Sequence, residues 1–326
     1  MICPGCLKDN KEGYCPKCIK ELFGGKKVSS VLPFNSPNAE DAEEFLNHTK
    51  KISISGVQVK YSLRLENNEL ELTETGGQYI LKPIPTGIFK YLDQAPANEH
   101  LTMQIAKQAF KLTIPPNALI FFKDGSPAYL VRRFDQTPDG KLQQEDFAQI
   151  AQMTSQTHGE NYKYDLSYEE IAQLIKTYIS THRIEMEKFF RLVLFNYVFS
   201  NGDAHLKNFS AIQSAHGDYV LTPAYDLLCT RIHSPNESDM ALTLFKDDFP
   251  KTYEAYGFHT YEDFYEFGQQ IDIKESRVKK IIAKFIETHE LVYTLIDRSF
   301  LKDDLKKTYM RYYKDKTKRL GMMQRS

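Results

Sequence analysis

One short segment places an aspartate and an asparagine at the spacing that phosphoryl-transfer enzymes use. Asp203 and Asn208 are separated by four residues within Ser-Asn-Gly-Asp-Ala-His-Leu-Lys-Asn at 200–208, which is the D-x-x-x-x-N spacing of kinase catalytic loops. In such loops the aspartate lies near the attacking hydroxyl, and the asparagine offers an oxygen ligand to Mg²⁺, a hard cation that prefers oxygen donors. The segment therefore predicts transfer of the γ-phosphoryl group of ATP to a hydroxyl.

Three more residues have the types that ATP and Mg²⁺ binding require. Lys82 ends the strand-like run Tyr-Ile-Leu-Lys, comparable with V-A-I-K, and Glu99 opens the next helical segment, where its carboxylate can hold the lysine in place. Asp226 follows a strand-like run. It stands where kinases carry the metal-binding aspartate of the D-F-G motif. Each feature alone also fits a plain turn, a solvated lysine or a helix N-cap. Their order and spacing together favour an ATP·Mg²⁺ site.

The remaining candidates near this site admit two interpretations each. We expect His205 to order the loop through a hydrogen bond and Lys207 to contact the transferring phosphate; a buried structural histidine and a solvated lysine are the alternatives. No G-x-G-x-x-G motif precedes Lys82. The corresponding stretch, Ser-Ile-Ser-Gly-Val-Gln at 53–58, has one glycine among hydroxyl residues. Its backbone N–H groups either approach phosphate or simply begin a strand.

The elements that must position these residues form a strand-rich first part and a helical second part. Hydrophobic periodicity and turn residues predict these elements. The strand-type segments are 52–66, 78–82, 117–123 and 127–134, with turns at Asn67-Asn68 and Gly76-Gly77 and a helix over 97–110; helices are expected over 143–158, 167–181, 184–199 and within 260–319, with a hairpin over 208–224. The plan predicts an α+β, bilobal protein-kinase-like fold with a strand-rich N-lobe (51–136) and a mainly helical C-lobe (137–326).

Four of the five cysteines lie near the start as two C-x-x-C pairs. Tetrahedral Zn²⁺ uses such paired thiolates, and the close spacing of the pairs predicts a small knuckle over 1–25 that is an appendage, followed by a linker over 26–50. Disulfide or redox chemistry and a decayed or partly filled metal site are the alternatives. The fifth, Cys229, is expected to be a small buried hydrophobe. The four paired residues are Cys3, Cys6, Cys15 and Cys18.

The charge and the hydrophobic pattern of the chain limit the classes of partner that we expect. The chain has 42 basic and 43 acidic residues in 326, a net charge of −1, so no overall positive field indicates nucleic acid as the main partner. The N-terminus lacks the basic and apolar regions of a signal peptide, and no apolar run reaches the ~18–20 residues of a membrane-spanning helix. We expect a cytoplasmic protein that binds neither membrane nor nucleic acid directly.

Taken together, these motifs resemble the HipA family, bacterial Ser/Thr kinases that are toxins of toxin–antitoxin pairs. Long members carry a sizeable subdomain before the serine loop, whereas only about 50 residues precede it in this sequence, so the chain is similar to the short form. A separate small partner protein can then replace that subdomain. The matching segments are 53–58, 80–83, 98–100, 133–135, 201–209 and 221–226.

The resemblance implies a role for each matching residue. Lys82 would contact the ATP phosphates, Asp203 would be the catalytic base, and Asn208 with Asp226 would hold Mg²⁺. His205 would order the site. The resemblance also implies a hinge against adenine formed by Arg132, Phe134 and Asp135, although Arg132 stands where an acidic residue is common.

It further implies regulation and partners. Ser53 and Ser55 would be autophosphorylation sites that switch the kinase off, because a phosphoserine adds about −1.5 to −2 charge where ATP phosphates must bind. The implied partners are a protein substrate of translation, such as an aminoacyl-tRNA synthetase, and a helix-turn-helix antitoxin.

Two other functions fit part of the pattern. Asn201-Gly202-Asp203 with Asn208 is also similar to the H-G-D-x-x-x-x-N loop of aminoglycoside and choline kinases, with Asn in place of His. A catalytically dead nucleotide-binding module is the third hypothesis, although intact Lys82, Asp203, Asn208 and Asp226 argue against it. The serine loop and Leu-Thr-Pro-Ala-Tyr-Asp at 221–226 favour the toxin kinases.

Overall fold

The chain folds into two compact units. The structure, a computed structural model, describes residues 1–37, 59–137, 139–247 and 250–322. The first unit comprises Met1–Gln136, Ile232–Ser234 and Leu291–Lys307, and the second comprises Thr137–Arg231, Pro235–Glu290 and Thr308–Ser326. The α+β class expected from the sequence is confirmed, with the sheet in the first unit and most helices in the second. The predicted domain boundaries stay predictions.

A five-stranded antiparallel sheet organises the first unit, and the strand that ends at Lys82 lies at its centre. Asn67 and Asn68 both adopt positive φ angles of 46° and 66°, which suits the tight turn between the first two strands. In the register of the central pair, Lys82 lies opposite Tyr129. The strands are β1 (Tyr61–Glu66), β2 (Glu69–Leu72), β3 (Tyr79–Lys82), β4 (Asn117–Phe121) and β5 (Pro127–Arg132). They lie side by side in the order β2-β1-β3-β5-β4.

One helix of the first unit packs against this sheet. Helix α2 (Ala95–Gln108) has Pro96 near its start, a position where the missing N–H costs nothing. Every residue from 95 to 106 is buried, including Asn98, Glu99 and His100. Buried polar groups are costly without partners, and the hydrogen bonds that these side chains make with neighbouring elements are described below.

The cysteine segment (residues 1–25) differs from the expected appendage. Its helix α1 (Pro16–Phe23) ends at Gly24, which adopts the left-handed conformation with φ 63°. Leu22 and Phe23 are buried in the same hydrophobic core as strands β1, β3, β4 and β5. The Tyr14 hydroxyl donates to the carbonyl of Leu119 at 2.7 Å. The apolar end of α1 thus makes this segment part of the first unit's core.

The predicted helix over 143–158 is wrong. The region instead forms strand β8 (Gln144–Asp146) and two single-turn helices, α3 (Phe147–Ile150) and α4 (Ser155–His158). Asp146 and Thr154 each begin a helix with a reciprocal capping box. Gln152 between them has φ 57°. Local side-chain caps therefore interrupt a periodicity that looked continuous.

The helices predicted over 167–181, 184–199 and within 260–319 are confirmed, as is the hairpin over 208–224. Strands β9 (Ser210–Gln213) and β10 (Tyr219–Leu221) pair antiparallel and extend onto β8. The two-residue strands Gln136–Thr137 and Gly140–Lys141 are β6 and β7. Within the described ranges, no helix is long and apolar enough to cross a membrane. The remaining helices are α5 (Tyr168–Tyr178), α6 (His182–Val198), α7 (Lys251–Tyr256), α8 (Tyr261–Gln270), α9 (Glu275–Ile286), α10 (Glu290–Arg298) and α11 (Asp303–Leu320).

Candidate functional site

In the first unit, the predicted lysine and glutamate form a buried ion pair. Lys82 Nζ lies 2.6 Å from Glu99 Oε1, and the two residues are only 4% and 2% exposed. The ammonium also lies 5.4 Å from the centre of the Tyr129 ring. Charges at this depth are tolerated only when they are paired. The C-terminal end of β3 and the first turns of α2 thus hold the ammonium group of Lys82 at a defined position.

The residue before Glu99 fixes the start of the same helix. Asn98 Nδ2 lies 2.9 Å from His233 Nε2, and His233 Nδ1 lies 2.8 Å from the carbonyl oxygen of Lys90. Because a carbonyl only accepts, Nδ1 carries the proton and Nε2 accepts from Asn98. Burial lowers the pKa of His233, which favours this neutral form. Sequence reasoning missed His233, which is distant in the chain and lies in no motif.

The predicted adenine hinge contains a second ion pair. Arg133 Nε and Nη2 donate to the two carboxylate oxygens of Asp135 at 2.9 and 2.6 Å, a bidentate arrangement that fixes both side chains. Arg132 is exposed and its Nη1 approaches the carbonyl of Glu21 at 3.4 Å, whereas Phe134 is half-buried. The roles of Arg132, Phe134 and Asp135 toward adenine stay predictions.

In the second unit, the candidate catalytic loop follows directly after the buried helix α6. Ser200 turns the chain with φ 52°, and Asn201 Nδ2 bonds to Asn196 Oδ1 at 3.0 Å and to the Asp226 carbonyl at 3.3 Å. The hydroxyls of Tyr168 and Tyr225 donate to the loop carbonyls of Ala204 and Lys207, both at 2.9 Å. The loop is therefore held at several points rather than freely solvated.

The structure brings the two predicted Mg²⁺ ligands together. Asn208 Nδ2 lies 3.4 Å from Asp226 Oδ2, and Asn208 Oδ1 accepts from the backbone N–H of His205 at 3.1 Å. Asp226 has φ 54°, an uncommon conformation for a residue other than glycine. An amide oxygen retains a second lone pair, so this carboxylate and amide fit a hard divalent cation that prefers oxygen ligands.

Asp203 has a hydrogen-bond partner that the sequence did not indicate. The hydroxyl of Tyr164 donates to Asp203 Oδ1 at 2.5 Å. Burial and the neighbouring Asp203 raise the pKa of Tyr164, so the phenol keeps its proton and acts as the donor. A tyrosine hydroxyl thus donates to the carboxylate that the sequence predicts to be a catalytic base. The segment around Tyr164 has no motif that signals this contact.

The two residues inside the loop have distinct environments. His205 is 7% exposed, its ring lies edge-on to Tyr164 at 5.3 Å, and burial lowers its pKa to about 4 although Asp203 opposes this. It is therefore neutral at pH 7. Lys207 Nζ lies 3.8 Å from Asp146 Oδ2 and 3.4 Å from the Tyr162 hydroxyl. Lys207 is thus directed by partners of its own, while its contact with phosphate stays a prediction.

A carboxyl group lies next to the loop on the side of Gly202. The backbone N–H of Gly202 donates to Thr230 Oγ1 at 2.7 Å, and Thr230 is in turn hydrogen-bonded to Glu237. A Cβ atom at Gly202 would lie 2.7 Å from the Ser238 carbonyl oxygen, so only glycine fits. Burial raises the pKa of Glu237 to about 7. No sequence pattern pointed to Glu237.

The predicted metal site is assembled in the first unit. The four sulfur atoms of Cys3, Cys6, Cys15 and Cys18 lie within 4.8 Å of one another, and Cys6 and Cys15 are 3.7 Å apart. A tetrahedron of sulfurs about 2.3 Å from zinc has edges of about 3.8 Å. The N–H groups of Gly5 and Cys15 point at Cys3 Sγ at 3.4 and 3.2 Å. The arrangement fits a thiophilic cation such as zinc.

Three more residues are singled out by the sequence, two serines and one cysteine. Ser53 and Ser55 lie outside the described residues. Cys229 is 1% exposed, which confirms the expected small buried hydrophobe in the second unit.

Comparison with known proteins by sequence gives a family match and several relatives. The family model described as the HipA-like C-terminal domain matches residues 52–292. A Haemophilus influenzae protein named "Putative kinase" is 29% identical over 318 residues, which cover 90% of this chain and 89% of that protein. "Putative kinase Y4dM" of Sinorhizobium fredii is 31% identical over 209 residues, 59% of this chain. The chain spans only 48% of that second protein.

Comparison with solved structures supports the fold. The HipA toxin–antitoxin system of Shewanella oneidensis MR-1, solved with HipB and its operator DNA, matches with a TM-score of 0.62 at 19% identity, over 88% of this chain and 71% of that chain. The proinflammatory kinase CtkA of Helicobacter pylori matches with a TM-score of 0.52 at 14% identity, over 81% and 90% of the two chains. Both confirm the kinase-like fold expected from the sequence.

The family model covers more than half of the chain and includes Lys82, Glu99, Asn208 and Asp226. The resemblance inferred from the motifs is thus confirmed by an independent match. The chain belongs to the family of the HipA-like C-terminal domain.

Proposed function

We propose that this protein is an ATP-dependent Ser/Thr protein kinase of the HipA type. The proposal depends on one observation at the 200–208 loop. Asp203 accepts a hydrogen bond from a hydroxyl group, and Asn208 of the same loop approaches Asp226. These are the base and the two oxygen ligands that phosphoryl transfer requires. The kinase-named relatives of the same family support the general activity, and the protein substrate is the finer part of the proposal.

In this proposal Asp203 orients the acceptor hydroxyl and takes up its proton. The Tyr164 hydroxyl, which donates to Asp203 Oδ1 at 2.5 Å, supports this role because it is a hydroxyl donor like the proposed acceptor. His205 packs edge-on against Tyr164, and its lowered pKa of about 4 makes its imidazole a weak base. Asn208 and Asp226 would hold Mg²⁺, which neutralises charge on the phosphate oxygens when bound.

Lys82 would bind the phosphates of ATP. An ammonium group has three donor hydrogens, so Lys82 can keep its bond to Glu99 and still donate to a phosphate oxygen. Glu99 orients the lysine and compensates its charge while no nucleotide is present. Burial strengthens the attraction because the local dielectric is low.

We extend the proposal to regulation, partners and zinc. Ser53 and Ser55 are proposed autophosphorylation sites, and Cys3, Cys6, Cys15 and Cys18 are proposed to bind one Zn²⁺. By likeness to HipA, which was solved with HipB, a helix-turn-helix antitoxin and a small accessory protein are proposed partners. The proposed target is a protein of translation, such as an aminoacyl-tRNA synthetase, and the proposed biological role is that of a toxin.

The test is transfer of label from γ-labelled ATP with Mg²⁺. Wild-type protein should incorporate phosphate on serine, in itself or in an added protein, and Asp203→Asn should lower the rate by at least about 10²-fold because the base is lost. Asp272→Asn is the matched control, since Asp272 forms only an exposed ion pair with Lys176. Ser53→Ala with Ser55→Ala should remove the autophosphorylation.

Two outcomes would contradict the proposal. Label that appears only on added choline or an aminoglycoside would identify a small-molecule kinase. Equal incorporation by wild type and Asp203→Asn would show that Asp203 is not the base.

A further inference from the structure

Helix α2, which carries Glu99, is attached to the cysteine segment through another of its faces. His100 Nε2 lies 3.2 Å from the carbonyl oxygen of Gly5, and Gln108 Nε2 donates to the carbonyl of Cys6 at 2.8 Å. Lys107 Nζ lies 2.5 Å from Glu21 Oε2. Residues 100, 107 and 108 are spaced so that they share one face of a helix. The cysteine segment therefore contacts α2 near its middle, at His100, and at its C-terminal end, at Lys107 and Gln108.

The two carbonyls that accept these bonds belong to the first C-x-x-C turn. Gly5 lies between the two cysteines of this turn, and Cys6 is the second of them. A Cβ atom at Gly5 would lie 2.7 Å from Cys18 Sγ. The turn thus packs directly on the opposite cysteine pair. None of the four cysteines forms a disulfide bond. Coordination of one cation by all four sulfur atoms would therefore hold the two cysteine pairs together.

The strand that carries Lys82 has a corresponding attachment. The hydroxyl of Tyr79, three residues before Lys82 on β3, donates to the carbonyl of Leu22 at 2.9 Å. Tyr79 is 3% exposed, and its ring lies 5.9 Å from that of Phe23. Leu22 and Phe23 end helix α1, which begins directly after Cys15 and contains Cys18. Both partners of the Lys82–Glu99 pair are therefore connected to the cysteine segment.

We infer that metal binding by the four cysteines holds β3 and α2 in the positions that pair Lys82 with Glu99, so that the cysteine segment is a metal-dependent support of the nucleotide-binding lysine. The nucleotide part of this inference rests on the proposed kinase function. Loss of the metal would release the Gly5 and Cys6 carbonyls from α2. The helix would then lose the contacts of His100 and Gln108, and Lys82 would lose its fixed partner.

The first experiment removes and restores the metal in the full chain. The purified protein should contain one zinc, and Cys3→Ser with Cys6→Ser should remove it, whereas Cys229→Ala should retain it. Treatment with the chelator TPEN, which leaves Mg²⁺ in solution, should speed hydrogen–deuterium exchange in α2 (Ala95–Gln108) and β3. The same treatment should weaken binding of a fluorescent ATP analogue at least about 10-fold, and added Zn²⁺ alone should restore both properties.

The second experiment removes single hydrogen bonds between the cysteine segment and α2 or β3, and it leaves the four cysteines unchanged. Gln108→Leu removes the bond to the Cys6 carbonyl, and Tyr79→Phe removes the bond to the Leu22 carbonyl. Each variant should keep one zinc and yet bind the ATP analogue about 2- to 10-fold more weakly, the range expected for one neutral hydrogen bond. Lys11→Ala, an exposed change within the same segment, is the matched control and should bind as wild type does.

The outcomes separate this inference from the proposed function. If α2 exchange depends on zinc but neither form binds the nucleotide, the metal-dependent support stands and the kinase proposal fails. If the chain binds no zinc, or if exchange and nucleotide affinity are the same with and without it, the inference is overturned while the kinase proposal stands. If the zinc-free protein does not fold, wild-type affinity in Gln108→Leu and Tyr79→Phe overturns the inference.

Discussion

Replacing Glu237 by glutamine should change how the protein's stability depends on pH. The Thr230 hydroxyl has one proton and lies within hydrogen-bond distance of both the Ser200 carbonyl and the Glu237 carboxyl group. It also accepts the N–H of Gly202. A protonated Glu237 can donate to Thr230, which then donates to Ser200. A charged Glu237 competes with Ser200 for the single proton. Burial raises the pKa of Glu237 to about 7, although the hydrogen bond with Thr230 acts in the opposite direction.

The magnitude follows from the difference between that value and the ordinary glutamate pKa of 4.5. At about 1.4 kcal/mol per tenfold change in the acidity constant, the difference corresponds to about 3 kcal/mol. Below pH 4.5 Glu237 is protonated in the folded and unfolded chain and contributes nothing. Between pH 4.5 and 7 the folded protein keeps a proton that the unfolded chain releases, so the free energy of unfolding falls as the pH rises.

The assay is urea unfolding of wild type and Glu237→Gln from pH 4 to pH 8. Glutamine mimics the protonated acid, so the variant should match wild type at pH 4 and exceed its free energy of unfolding by about 3 kcal/mol at pH 8. Glu160→Gln, an exposed control in the same unit, should show no such divergence. A difference that is constant with pH, or one that grows in favour of wild type, would refute the reasoning.

Three further predictions concern single side chains. Lys82→Met should weaken ATP binding at least about 10-fold by calorimetry, because a charge-assisted hydrogen bond contributes about 1.5–3 kcal/mol, and Glu99→Gln should have a smaller effect of the same sign; unchanged affinity in Lys82→Met would contradict the assigned role. Tyr164→Phe should raise phosphoryl transfer at low acceptor concentration about 2- to 10-fold, because the competing donor on Asp203 is removed; slower transfer would assign Tyr164 a supporting role instead. Ser167→Ala should lower the free energy of unfolding by about 0.5–2 kcal/mol, since its hydroxyl caps α5 in a capping box; an unchanged urea midpoint would show that the cap contributes nothing.

Elements that depend on neighbouring residues were predictable from the sequence. The strand that ends at Lys82 and the helix before Ser200 follow from local hydrophobic periodicity. The hairpin after Asn208 follows from alternation and turn residues. Motif order and spacing, together with the resemblance to the HipA family, assigned Asn208 and Asp226 to one site, and in the structure their side chains approach each other.

Features that depend on contacts distant in the chain could not be read in this way. Tyr164 bonds to Asp203 from 39 residues away, and Glu237 reaches the loop through Thr230; neither residue belongs to a pattern. The cysteine segment was expected to be separate because its length is small, but the burial of Leu22 and Phe23 joins it to the sheet. The interrupted helix over 143–158 reflects two capping boxes that compete with an apparently helical period.

The most direct test of the central claim is the intact mass of the protein after incubation with ATP and Mg²⁺. Wild type should gain the mass of one or more phosphoryl groups, with ADP formed in equal amount, whereas Asp203→Asn should gain none. Wild-type protein that keeps its original mass, whether ATP stays intact or not, would contradict autophosphorylation; if a protein acceptor also remained unlabelled, the kinase assignment itself would fall.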